Sequence, residues 1–168
     1  GEEGAGWAVA QATLASERGL TLMELGYRMR GNLYRIAELI RARALESDAG
    51  IQRDFGRLAT QVDATCAIAD RFLENRMSGI EAVGDASLVK NSYSRALREY
   101  SRLGLRLGGI EEQYRKPIVY GDLNTGNWMA DFMNSYAWTI AGGSEEVQRN
   151  IIAERMLGMP REPKGWIA

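Results

Sequence analysis

Apolar side chains recur along this chain every three or four positions, the spacing that gathers them on one face of an α-helix. Leu22, Leu25, Met29, Leu33, Ile36 and Ile40 keep that spacing. They predict a first helix over residues 7–44, with Gly19, Gly26 and Gly31 as places where it can bend. Capping and turn residues break the pattern at 46–50. Phe55, Leu58, Val62, Thr65, Ala69 and Phe72 then form the stripe of a second helix. Gly79 and Gly84 mark residues 78–85 as a loop. A third helix over residues 86–107 turns Tyr93, Ala96, Leu97, Tyr100 and Leu103 inward.

Residues 108–127 break the periodicity with two adjacent glycines, Pro117 and a Gly-Asp-Leu-Asn-Thr-Gly-Asn run, which is loop chemistry. A shorter helix follows over residues 128–139 and gives way at Ala141, Gly142 and Gly143. Ser144 then reads as an N-cap, with Glu145 and Glu146 in a first turn where the helix dipole favours negative charge. That last helix runs to about Leu157, where Gly158 suits a C-terminal cap and Pro160 a stop. No alternation of strand type extends beyond a few residues. The fold class predicted is all-α: an antiparallel, up-down four-helix bundle with a short extra helix, residues 1–168 making one domain.

Composition changes this picture mainly by exclusion. Lys and Arg number 21 against 22 Asp and Glu, so no basic surplus points to nucleic acid or an anionic membrane. Apolar runs are too short to span a bilayer, and no secretory signal is evident. One cysteine, Cys66, cannot form an internal disulfide and suits a reducing, cytoplasmic setting. Histidine is absent, which removes Ser-His and Cys-His nucleophile pairs and the usual zinc sites. A general base must then be a carboxylate, Lys, Tyr or Cys66. No metal site is expected.

Two stretches say more. Near the end stands Ile140-Ala141-Gly142-Gly143-Ser144-Glu145-Glu146-Val147-Gln148-Arg149-Asn150-Ile151-Ile152-Ala153-Glu154-Arg155, followed by Met156-Leu157-Gly158-Met159-Pro160-Arg161. It closely resembles the C-terminal signature of acyl-CoA dehydrogenases. Near the beginning, Gly4-Ala5-Gly6-Trp7 followed by Leu14-Ala15-Ser16-Glu17-Arg18 is similar to the segment entering that family's C-terminal domain. The resemblance spans essentially the whole chain, with motifs at its two ends. It implies the C-terminal helical domain of a larger FAD-dependent enzyme, whose N-terminal helical and middle β-domains are absent from these residues. Such an enzyme desaturates an acyl-CoA thioester between its α and β carbons and passes electrons on, typically to an electron-transfer flavoprotein.

Proton removal from the α carbon needs a carboxylate in a dry site. Many family members carry that glutamate in the glycine-containing turn, at the position Gly142 occupies here. A smaller branch, exemplified by isovaleryl-CoA dehydrogenase, carries it on the first helix of this domain, where this chain has Glu17. The resemblance therefore implies Glu17 as base, Arg18 and Gly143 at the substrate, and Ser144, Glu145 and Glu146 at the flavin. It also implies homo- or hetero-oligomers. The family's Arg-x-x-Phe-Gly cofactor motif is replaced here by Arg41-Ala42-Arg43-Ala44-Leu45-Glu46, with Arg41 the remaining candidate contact. Arg53-Asp54-Phe55-Gly56 falls inside the second helix and reads as coincidence. Some family members pair with a subunit that binds no flavin, so the alternative is a non-catalytic assembly subunit; a flavin oxidase or monooxygenase relative is a third reading. By itself, Glu17-Arg18 reads as two solvated helix charges. Cys66, Tyr93 and Tyr100 read as core.

Overall fold

The computed structural model describes residues 2–16, 21–80, 83–109, 119–120, 123–124 and 128–161. Helix α1 spans Gly6–Ser16 and α2 spans Leu22–Ala42, so the long first helix is described in two parts. Gly19 lies outside the described residues. Gly26 and Gly31 lie within α2 without interrupting it. Gly26 is buried, and a Cβ there would make only ordinary contact with Thr65 Cγ2 at 3.7 Å, so the packing does not require a glycine and the helix does not bend at it.

Helix α3, Ala49–Met77, starts where Asp48 caps it, its carboxylate accepting from the Ile51 N–H at 2.9 Å. The break expected to reach Gly50 thus ends two residues earlier, at Asp48. Helix α4 spans Asp85–Gly108. Two-residue strands β1 (Val119–Tyr120) and β2 (Leu123–Asn124) pair antiparallel within the expected loop. Helix α5 is Trp128–Ile140, and α6 is Glu145–Ile151, continued by a wider π-helical turn at Ile152–Met156.

The fold is all-α, and α4 is its hub, packing against α2, α3, α5 and α6. Short connections make α2, α3 and α4 antiparallel neighbours. The core draws Leu22, Met29, Ile36 and Ile40 from α2, and Leu58, Val62, Ala69 and Phe72 from α3. Val89, Tyr93, Ala96, Tyr100, Leu103 and Leu107 come from α4, and Trp128 from α5. Leu25, Leu33, Phe55 and Leu97, expected inside, are partly buried at the margin. Cys66, Tyr93 and Tyr100 are buried as read, and burial pushes the Cys66 thiol and both phenols above their usual pKa. No described helix is long and apolar enough to cross a membrane.

Candidate functional site

The local sequence at the end of α5 dictates an unusual turn. Ala141, Gly142, Gly143 and Ser144 separate two helices, and both glycines take left-handed backbone, φ +70° and +98°. Such angles suit glycine because no Cβ meets the neighbouring carbonyl. Ser144 then caps α6, its Oγ accepting from the Val147 N–H at 3.4 Å. Gln148, fully buried, donates from Nε2 to the Gly142 carbonyl at 3.1 Å.

This turn borders a cleft of about 650 Å³. Gly143, Val147, Ile151 and Arg155 line one wall, and Trp7, Gln11, Ala12 and Leu14 of α1 line another. Phe72, Asn75 and Arg76 of α3 and the start of α4 close it. The walls are mostly apolar. Among its described lining residues the one carboxylate is Asp85, and it is already committed. Arg71 Nη2 donates to its Oδ1 at 3.2 Å and Asn75 Nδ2 to its Oδ2 at 2.7 Å, which fastens the end of α3 to the start of α4.

Glu17 and Arg18 lie outside the described residues; Leu14, three positions earlier in the same motif, lines the cleft. Gly143 lines it too, so the fold brings residues of both terminal motifs to one cavity. Arg41 does not join them. It stands in the last turn of the 21-residue α2, a helix that rises about 30 Å, and it is not among the cleft's lining residues.

The side chains of the α6 first turn are largely engaged by the protein itself. Glu145 is buried, and its carboxylate accepts from Ser94 Oγ, Arg98 Nη2 and Arg149 Nη2. Glu146 is exposed; its own backbone N–H and the Ser144 hydroxyl hold its carboxyl below the usual range. Sequence reasoning passed over Lys90, Ser94 and Arg98, the α4 residues that grip this region. Their spacing of four on a helix whose neighbouring stripe is core was the available signal. Among the described residues no group of three or more potential metal ligands comes together.

A family model described as Acyl-CoA dehydrogenase, C-terminal domain, matches residues 4–157. The chain is 34 % identical over 166 residues to the acyl-CoA dehydrogenase IpdE1 of Mycobacterium tuberculosis, covering 98 % of this chain and 41 % of that protein. It is 31 % identical over 176 residues to IpdE1 of Mycolicibacterium smegmatis, covering 98 % and 40 %. The chain therefore spans about two fifths of the length of these relatives. Among solved structures, the Tcur3481-Tcur3483 steroid ACAD superposes with a TM-score of 0.82 at 23 % identity, over 96 % of this chain and 42 % of that one, and so shares the fold. With its terminal motifs meeting at one cleft and the family model covering most of its length, this chain belongs to the acyl-CoA dehydrogenase family, whose C-terminal domain it matches.

Proposed function

We propose that this chain is the C-terminal domain of a FAD-dependent acyl-CoA dehydrogenase that desaturates an acyl-CoA thioester between the α and β carbons. Glu17 is the base that takes the α proton. One observation carries this reading: the cleft shared by α1 and the double-glycine turn is apolar, yet its described lining holds no uncommitted base. A proton-abstracting site here draws its carboxylate from elsewhere, and Glu17 follows α1 directly in sequence. Gly142, at the family's other base position, has no side chain to offer. Arg18 shapes the acyl pocket, and the Gly143 backbone, free of a Cβ, lies against the thioester.

The turn fits the edge of a flavin ring better than its pyrophosphate. Gly142 and Gly143 leave bare backbone near an apolar cleft, which a planar ring can approach. The Val147 and Glu146 N–H groups, which would meet phosphate, already serve Ser144 and the Glu146 carboxylate. Ser144 and Glu145 therefore contribute to a flavin site by shaping the turn, with Glu146 the exposed side chain. When bound, FAD supplies the acceptor for the β hydride. Most of its contacts belong to the part of the protein beyond these residues, as do the acyl-CoA entrance, the oligomer contacts and the docking of an electron-transfer flavoprotein.

Glu17→Gln in the complete protein tests this. Its expected result is a loss of turnover of about three or more decades, in the range that removal of an acid–base group produces, with flavin content unchanged. Near-normal turnover sinks the assignment. A second reading, a helical assembly subunit whose partner holds flavin, draws on Gly142 bringing no base and Glu145 facing inward. Absorbance of a co-purified complex separates the two: flavin confined to the partner favours assembly.

A further inference from the structure

Three side chains on one stripe of α4 reach both helix ends that flank the double-glycine turn. Lys90, Ser94 and Arg98 are spaced by four, so they stack on a single helix face. Lys90 is 1 % exposed, and its Nζ donates to the Thr139 carbonyl at 3.3 Å. Thr139 is the penultimate residue of α5, where carbonyls lack partners within the helix and carry the negative end of its dipole. One turn along α4, Ser94 Oγ donates to Glu145 Oε1 at 3.1 Å. One turn further, Arg98 Nη2 reaches Oε1 at 2.9 Å and Oε2 at 3.2 Å. A cation thus grips the end of α5, and an anion is gripped at the start of α6.

The turn between them holds two glycines in left-handed conformations, the backbone with the widest freedom when nothing restrains it. Burying an ammonium and a carboxylate also costs desolvation that apolar residues of similar volume would avoid. Packing alone therefore gives no reason for charge here, whereas directional contacts to two helix ends do. We propose that Lys90, Ser94 and Arg98 are positioning residues, which hold the double-glycine turn in register with the cleft and so set where the Gly143 backbone meets the substrate. The last step rests on the desaturase reading; the restraint of the turn does not.

The test is hydrogen exchange and steady-state kinetics on the complete protein carrying Lys90→Met, Lys90→Arg or Glu145→Gln. In Lys90→Met and Glu145→Gln, amides of residues 140–147 should exchange at least about tenfold faster while those of α3 stay unchanged, the mark of a local opening. With an acyl-CoA, kcat should fall by about a hundredfold, as misplacement of a reacting group produces, with KM held within about threefold. Lys90→Arg should recover much of both. Unchanged exchange over 140–147, or equal acceleration in α3, overturns the restraint. A loosened turn with normal kcat overturns the positioning role. If Lys90→Met does not fold, Glu145→Gln decides by the same readings. Loosening of the turn in Lys90→Met or Glu145→Gln, alongside full activity in Glu17→Gln, would leave the restraint by Lys90, Ser94 and Arg98 standing and remove the base assignment.

Discussion

Asp131 stands in the first turn of α5, and burial lifts its carboxyl from the usual 3.8 to about 6. The folded state therefore holds this proton more tightly than the unfolded chain does. Stability contributed by the protonated form is full below the unfolded value and declines as pH rises from there through about 6. A shift of this size corresponds to roughly 3 kcal/mol at most, and the α5 dipole offsets part of it. Asp131→Asn is expected to raise stability by about 1–2 kcal/mol near neutral pH, with the gain vanishing below about pH 4. Urea unfolding at several pH values checks it, and a gain independent of pH would refute the cause.

Residue identity alone did not reveal such environments. Glu145 and Glu146 are adjacent acidic residues in one first turn. Yet Glu145 enters a buried network with Ser94 and Arg98 while Glu146 faces solvent. Their neighbours come from α4, some 50 positions away, and only the packed structure brings them there.

Helices were legible because a stripe of apolar residues at helical spacing constrains itself locally. Their ends were less so. The first pattern runs on past Ala42, but the helix stops there and Ala44 turns left-handed at φ +53°. The N–H of Leu45 bonds the Ile40 carbonyl at 3.0 Å, closing the helix end in the manner glycine usually provides. With alanine at that position the backbone carries a strain of about 1–2 kcal/mol. Ala44→Gly should therefore stabilise the chain by about 0.5–1 kcal/mol despite glycine's greater unfolded freedom. A lower unfolding midpoint in that variant would contradict the argument.

The contact between α4 and α5 depends on a missing side chain. A Cβ on Gly104 would lie 2.1 Å from Trp128 Cε3, inside the space the indole fills. Trp128 also packs at 5.2 Å from the Tyr100 ring, and Trp138 meets Tyr93 edge-on at 5.8 Å. Gly104→Ala gains helix propensity of about 1 kcal/mol but forces the indole aside, an overpacking that costs about 1–3 kcal/mol. Net destabilisation is expected by thermal unfolding. The penalty should shrink in a Trp128→Leu background, where the obstruction is gone; an equal penalty in both backgrounds would show that the indole is not its source.

On the scale of the whole molecule, this chain spans about two fifths of the relatives it matches. On the function proposed above, most contacts to flavin and thioester belong to the part of the protein beyond these residues. Purified alone, the chain should show no desaturation of acyl-CoA with an artificial electron acceptor, whereas the complete protein should. Measurable turnover by the isolated chain would mean that these residues hold the cofactor unaided.

By itself, the sequence determined the helices, the stripes that became their core, the cap at Ser144, and membership of the family through its two terminal motifs. Those properties depend on residues a few positions apart, or on a pattern read directly. Tertiary structure alone decided that the motif containing Leu14 and the turn containing Gly143 share one cleft. It also decided that Arg41 stands apart from that cleft, and that Lys90, Ser94 and Arg98 meet the helix ends around the turn. The last of these follows from helices packing around α4, and all three concern residues that no local periodicity connects.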